Sequence, residues 1–223
     1  MEEALQLLKK IEAHGLKAYL IGGFPRDYYL GKTTTDFDIC TNGTEEILKS
    51  FLTIERSQFG SMVISYLGKE YQITTFRKEE TYQNHRYPAS ITYVDTLEED
   101  LLRRDFIMNT LAIDAQGVYV DLLGARADLD QRIIRTVGDP IEKLKEDALR
   151  ILRALRFSLQ LDFEIVPELK EAILLTKEEV MFLTESQIRK EVEKMLALDS
   201  EKTVALFREY QMDFIFTRCT AII

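Results

Sequence analysis

Leu20-Ile21-Gly22-Gly23-Phe24-Pro25-Arg26-Asp27-Tyr28-Tyr29-Leu30-Gly31 leads, after a short polar run, into Asp36-Phe37-Asp38-Ile39. Ala18 to Ile21 read as a short apolar strand ending at the paired glycines. Arg26 to Leu30 fit a helical turn stopped by Gly31, and Phe37-Asp38-Ile39 is strand-like again. Glycines at a strand end let the backbone approach a phosphate closely, and the following helix offers free N–H groups. Arg26 carries a planar fork suited to phosphate oxygens. In an extended segment residues i and i+2 share a face, so Asp36 and Asp38 converge. Two carboxylates on one face repel unless they share a cation. Mg²⁺ sites in phosphoryl transfer use one or two carboxylates plus substrate phosphates. Alone, the Asp-x-Asp pair reads as a solvated strand edge; the ordered combination with Gly22, Gly23 and Arg26 reads as a metal site.

Upstream, residues 3–14 show a helical stripe of Ala4, Leu5, Leu7, Leu8 and Ile11. Downstream, residues 45–51 read as a helix capped by Thr44. Residues 61–67 and 70–76 flank Gly68-Lys69 as a hairpin. A polar stretch from Arg77 to Pro88 precedes a strand at 91–94. Residues 97–112 read mostly as helix, and 118–122 as a strand. From Lys143 onward the periodicity is helical, clearest at 143–160, 167–176 and 185–197. The expected fold is therefore α+β over residues 1–139, a small mixed β-sheet with flanking helices, followed by an all-α portion over 140–223. Gly138-Asp139-Pro140 marks the boundary as a turn.

Hydrophobic residues make up 46% and charged residues 30% of the 223, as in ordinary globular chains. No apolar run approaches the roughly 20 residues needed to cross a bilayer. The amphipathic, acidic start is unlike a signal peptide, so a cytoplasmic location and no membrane partner are expected. Cys40 and Cys219 are too few for a disulfide framework or structural zinc. His14 and His85, the only histidines, lie near no nucleophile signature, and His85 reads as a loop residue rather than a catalytic base. The net charge of −9 is unlike a protein that coats nucleic acid, so any RNA contact must use a local basic patch.

The stretch 20–31 with Asp36-Phe37-Asp38 resembles the signature of class II tRNA nucleotidyltransferases and bacterial poly(A) polymerases. The likeness continues in order. Residues 98–109 resemble the family's ribose-selecting motif, and 121–129 with 134–138 its connecting segment. Residues 146–157 resemble its base-recognition helix, and 185–191 its last neck motif. The resemblance implies a nucleotidyltransferase head over 1–139 and a helical neck over 140–223. It also implies Mg²⁺ as cofactor, CTP and ATP as substrates, and a tRNA or other RNA 3′ end as acceptor. The implied activity is stepwise addition of C, C and A. The same motifs also fit A-adding, CC-adding or poly(A) synthesis, or a non-catalytic remnant that binds nucleotide or RNA.

The residues suit these roles physically. Asp105 can accept a hydrogen bond from a ribose hydroxyl, while Asn109, one helical turn away, and Arg104 present polar groups beside it. Glu146, Arg150 and Arg153 repeat at i, i+4 and i+7, with Asp147 beside them and Arg156 one turn further along. A ladder of this kind is often only a surface ion-pair row. An Asp acceptor beside an Arg donor can also read cytosine and adenine edges: Asp147 accepts from the exocyclic amino group, and Arg150 donates to the ring nitrogen. Arg77 to Pro88, with Glu79, Glu80, Tyr82, Asn84, His85, Arg86 and Tyr87, corresponds to the family's mobile loop.

Two departures carry expectations of their own. Many relatives place a carboxylate where this chain has Gln72, which leaves metal binding to Asp36 and Asp38. The family's body and tail domains, which hold tRNA, have no counterpart in these 223 residues. The apolar end from Phe214 to Ile223 is expected either to pack against the neck helices or to mark a truncated product. Nucleotide binding is expected to outlast tRNA binding.

Overall fold

A computed structural model describes residues 1–58, 60–83 and 85–218, without the side chains of Thr81, Gln83, Tyr87 and Arg218. Asn84, Cys219 and the remainder of the apolar end, all weighed above, lie outside the described residues. Two units emerge: Met1–Glu79 with Ile91–Leu129, and Glu80–Ser90 with the chain from Asp130 on.

In chain order the elements begin with α1 (Glu2–Glu12), β1 (Ala18–Ile21), α2 (Gly23–Tyr29), β2 (Asp38–Thr41) and α3 (Glu45–Lys49). Then come β3 (Ile54–Gln58), β4 (Ser61–Tyr66), β5 (Lys69–Thr75), β6 (Arg77–Gln83), β7 (Tyr87–Tyr93) and α4 (Leu97–Leu101). The short strands β8 (Ala112–Ile113) and β9 (Tyr119–Val120) precede α5 (Ala125–Gln131) and β10 (Ile133–Ile134). Helices α6 (Pro140–Glu146) and α7 (Leu149–Leu161), strand β11 (Glu164–Ile165) and helix α8 (Pro167–Thr176) follow. The last helices are α9 (Glu185–Leu198), α10 (Ser200–Glu209) and α11 (Phe214–Arg218).

The first unit is built on a seven-stranded sheet of order β3-β4-β5-β2-β1-β8-β9. Only β2 and β5 pair in parallel; β1 and β2, neighbours in sequence, run antiparallel. Alternation along β1 and β2 sends Leu20 and Ile39 to one face, where they meet Ala4, Leu7, Leu8 and Ile11 of α1. Ile21 and Cys40 point to the other, against Phe76 and against Leu97 and Leu101 of α4. Helix α1 is further favoured by Glu2 and Glu3 in its first turn and Lys9 and Lys10 in its last, matching the helix dipole.

The second unit is mainly helical, with β10 and β11 as a two-residue parallel pair. Helix α7 buries Leu149, Ile151, Leu152, Ala154 and Leu155. Helix α9 opens with a capping box between Thr184 and Gln187, which satisfies two otherwise orphaned N–H groups. The mixed sheet followed by helices agrees with the α+β class. Among the described residues no helix is long and apolar enough to cross a membrane.

Three local expectations are corrected. The helix expected over 97–112 stops at Leu101, and a 3₁₀ turn forms only at Ile107–Asn109. Asp100 explains the stop. It is fully buried and accepts from Arg103 Nε at 2.9 Å, Arg104 Nη2 at 3.1 Å and the Arg77 backbone N–H at 3.2 Å. Those bonds fold the next residues back, and Phe106 is extended at φ −123°. The polar stretch 77–88 is part of the hairpin β6–β7 rather than a bare loop. The helix expected over 143–160 breaks at Asp147, whose backbone is extended at φ −141°.

Candidate functional site

Ile21, Asp38 and Gln72 are neighbours across β1, β2 and β5, so Asp38 shares a face with Ile21, Gln72 and, one pleat on, Cys40. Asp36 is exposed and lies just before the strand; Asp38 is half-buried. Burial pushes the Asp38 carboxyl above its ordinary range, and the neighbouring Asp36 pushes it further, with Arg104 opposing both.

Gly22 turns the chain out of β1 with φ 82° and ψ −129°, a conformation essentially confined to glycine. A Cβ at this position would lie 3.4 Å from Asp38 Oδ2, so bare backbone faces the carboxylate. Gly23 opens α2, and a Cβ there would lie 3.7 Å from Arg26 Nη2.

Arg26 is buried, and its fork is engaged inside the protein. Nε donates to Asp27 Oδ1 at 2.8 Å and Nη1 to Asn109 Oδ1 at 2.7 Å. Asn109 Nδ2 donates in turn to Asp105 Oδ1 at 3.0 Å, which also accepts the Phe106 N–H at 2.8 Å. Asp105 and Asn109 therefore meet as expected, through a side-chain bond rather than a shared helix. The chain Asp27–Arg26–Asn109–Asp105 locks the Asn109 amide and fixes the rotamer of Asp105.

Arg104 is held by Asp100, while its Nε is buried without a hydrogen-bond partner. Arg103 bridges Asp100 to Glu79, which also pairs with Arg77 at 2.7 Å. Burial alone would raise the Asp100 carboxyl, but Arg104 and Arg103 outweigh it and the net shift is downward. Cys40, buried on the same sheet face as Asp38, has its thiol pushed up to about 12 by burial.

The donor set suits a hard divalent cation. Among the described residues no group of three or more His, Cys, Asp or Glu gathers, so the carboxylates at hand are Asp36 and Asp38. Gln72 occupies the neighbouring position on β5 and donates to Ser61 Oγ at 3.2 Å. Paired carboxylate oxygens match Mg²⁺ chemistry. The repulsion felt by Asp38 is what a shared cation would relieve.

In the second unit, Asp147 closes α6 and precedes α7. Its Oδ1 accepts the Leu149 N–H at 3.0 Å, and its Oδ2 pairs with Arg86 Nη1. Burial raises the Asp147 carboxyl, with Arg86 first and then Arg150 pulling it back. Arg150 is buried too; its Nη1 donates to Glu146 Oε2 at 2.6 Å and to the Lys143 carbonyl at 2.7 Å. Its guanidinium also lies 5.8 Å from the Tyr82 ring centroid. Arg153 lies 5.3 Å from the Phe157 ring. Arg156 turns inward: Nε donates to Glu191 Oε2 at 2.6 Å, joining α7 to α9. His85 stacks on Phe182 with centroids 4.2 Å apart, the packing of a structural residue. The Arg86–Asp147 and Arg156–Glu191 pairs were not foreseen, because their partners are 61 and 35 residues apart and no local pattern links them.

Residues 18–135 match the family model described as the poly(A) polymerase head domain. The chain is 40% identical over 174 residues to a CCA-adding enzyme of Bacillus licheniformis, covering 77% of this chain and 44% of that relative. It also resembles the crystal structure of the Bacillus stearothermophilus CCA-adding enzyme in complex with CTP. That match has a TM-score of 0.84 and 35% identity, covering 94% of this chain and 52% of the other. The Thermotoga maritima CCA-adding enzyme complexed with tRNA-CCA matches with a TM-score of 0.75 and 27% identity, covering 94% and 50%. The chain thus spans about half the length of the proteins it matches.

Proposed function

Because the chain belongs to the poly(A) polymerase head-domain family, we propose that it is a template-independent, Mg²⁺-dependent nucleotidyltransferase of the cytoplasm that adds C, C and A to a tRNA 3′ end from CTP and ATP. The observation that carries this reading is the Asp36–Asp38 pair, where a half-buried carboxylate, disfavoured by burial and by the neighbouring Asp36, faces the bare backbone of Gly22. The relatives' complexes with CTP and with tRNA-CCA support the choice of substrates. In this reading residues 1–139 act as catalytic head and 140–223 as neck.

The reaction joins the RNA 3′-oxygen to the α-phosphorus of the nucleotide; the bond to pyrophosphate breaks and the hydroxyl proton is lost. Asp36 and Asp38 would hold Mg²⁺, which supplies the positive charge that acidifies the hydroxyl and stabilises the leaving group. Gly22 and Gly23 leave room for the triphosphate, and Arg104, anchored by Asp100, adds positive charge beside Asp38. Asp105 accepts from a ribose hydroxyl, held in place by Asn109 and Arg26. Asp147 accepts from the amino group of cytosine or adenine, and Arg150 donates to the ring nitrogen. Arg153 adds charge on α7, and Arg156 keeps that helix seated on α9.

The test is incubation of the chain with tRNA lacking CCA, single labelled nucleotides and Mg²⁺. Ordered C, C, A addition supports the proposal. Addition of C alone or A alone would replace it with a partial activity, and binding of nucleotide without incorporation would remove the catalytic claim.

A further inference from the structure

His85 has a left-handed backbone, φ 50°, which costs a non-glycine residue roughly 1 kcal/mol or more. The surroundings hold it there. Its carbonyl accepts the Ala148 N–H at 2.9 Å, its ring stacks on Phe182, and its Nδ1 lies 3.0 Å from Glu179 Oε2 and 3.2 Å from the Lys145 carbonyl. His85 is therefore fixed against the α6–α7 junction, and the next residue, Arg86, places its guanidinium on Asp147 Oδ2.

The charges facing Asp147 are Arg86 from the β6–β7 hairpin and Arg150 and Arg153 from α7. Arg150 is shared with Glu146, which Lys143 also contacts at 3.0 Å. Arg86 bonds directly to the carboxylate and opposes the effect of burial more strongly than Arg150 or Arg153 does.

We propose that Arg86 is a specificity-determining positioning residue: by pairing with Asp147 it keeps that carboxylate ionised, so that the site accepts amino-bearing bases and refuses keto-bearing ones. The inference rests on the reading of Asp147 as the base-reading acceptor. An ionised carboxylate only accepts, whereas a protonated one can donate. Ionised Asp147 matches the amino groups of cytosine and adenine and repels O4 of uracil and O6 of guanine. Burial works toward the protonated form, which would donate to those keto oxygens and remove one of the two mismatches. The other, a ring N–H against Arg150, remains, so discrimination would be relaxed rather than abolished.

The experiment compares the full chain with Arg86→Gln, which keeps donors but loses charge, and Arg86→Lys, which keeps charge. The Asp147 side-chain carbon is followed by NMR against pH. The midpoint is expected to rise in Arg86→Gln and return toward the wild-type value in Arg86→Lys. In parallel, UMP-to-CMP incorporation is measured from about pH 8 to about pH 6. In Arg86→Gln the ratio should climb by up to about tenfold per pH unit, as the protonated fraction does; in Arg86→Lys it should stay near wild type. An unmoved Asp147 titration in Arg86→Gln overturns the proposal, as does a pH-independent ratio in an active Arg86→Gln. If wild type incorporates no nucleotide, the functional reading fails separately, while the carboxyl titration still decides the ionising role of Arg86.

Discussion

Gln72 lies directly across from Asp38 in the parallel pairing of β2 and β5, at the position where a third carboxylate would stand beside the pair. Gln72→Asp should therefore tighten divalent-cation binding, on the order of tenfold, since ligand charge sets affinity at oxygen sites. Mn²⁺ titration followed by electron paramagnetic resonance checks it. Unchanged affinity would mean that the cation does not bind beside β5.

Asp38→Asn should separate function from stability. The carboxylate is disfavoured by burial and by Asp36, so a neutral isostere leaves the melting temperature unchanged or higher. Incorporation should fall by at least about a hundredfold, the scale for losing a group that stabilises developing charge. A variant of wild-type rate would sink the metal-site assignment. Sites selected for activity commonly carry such a stability cost.

Asp100 makes the first unit sensitive to acid. Its carboxyl is held below the ordinary range because Arg104 and Arg103 outweigh the effect of burial. A depressed folded value gives stability that is full above the unfolded value, about 3.9, and is lost as pH falls through the folded one. Circular dichroism should show steep acid unfolding below about pH 4. Asp100→Asn should flatten that limb and, by leaving the half-buried Arg104 without its carboxylate and Arg103 with Glu79 alone, cost about 1–3 kcal/mol at neutral pH.

Arg156→Leu should behave as a packing mutation. Breaking its buried pair with Glu191 should cost about 3–5 kcal/mol, whereas Arg156→Leu with Glu191→Leu should restore much of that loss. Urea unfolding measures both. A nucleotide Kd that worsens in the stable double variant would instead give Arg156 a direct binding role.

How much of this was legible in sequence depended on whether the cause was local. The apolar run Ala18–Ile21 and the glycine pair after it announce β1 and its turn. The α8 and α9 spans were likewise readable from 3.6-residue periodicity. Strand β3 was missed because it carries mostly exposed residues along Glu55–Gln58, and its pairing with β4 gives them no apolar alternation. The break at Asp147 was invisible because the surrounding pattern is continuous helix. What ends it is an Asp147 side chain turned onto the Leu149 N–H and an Ala148 N–H taken by His85, the latter a contact from a distant part of the chain. Arg26 reads by type as a phosphate fork, and only the fold reveals Asp27 and Asn109 at two of its nitrogens.

Cys40 gives the strand of Asp38 a chemical clock. Only the thiolate reacts with alkylating and disulfide reagents, and a thiol that is buried and pushed up to about 12 is almost never in that form while β2 stays in the sheet. Modification of Cys40 must therefore wait for β2 to come away. Its rate reports how often the segment bearing Asp38 opens, and a ligand that braces that segment will slow the reaction without touching the sulfur.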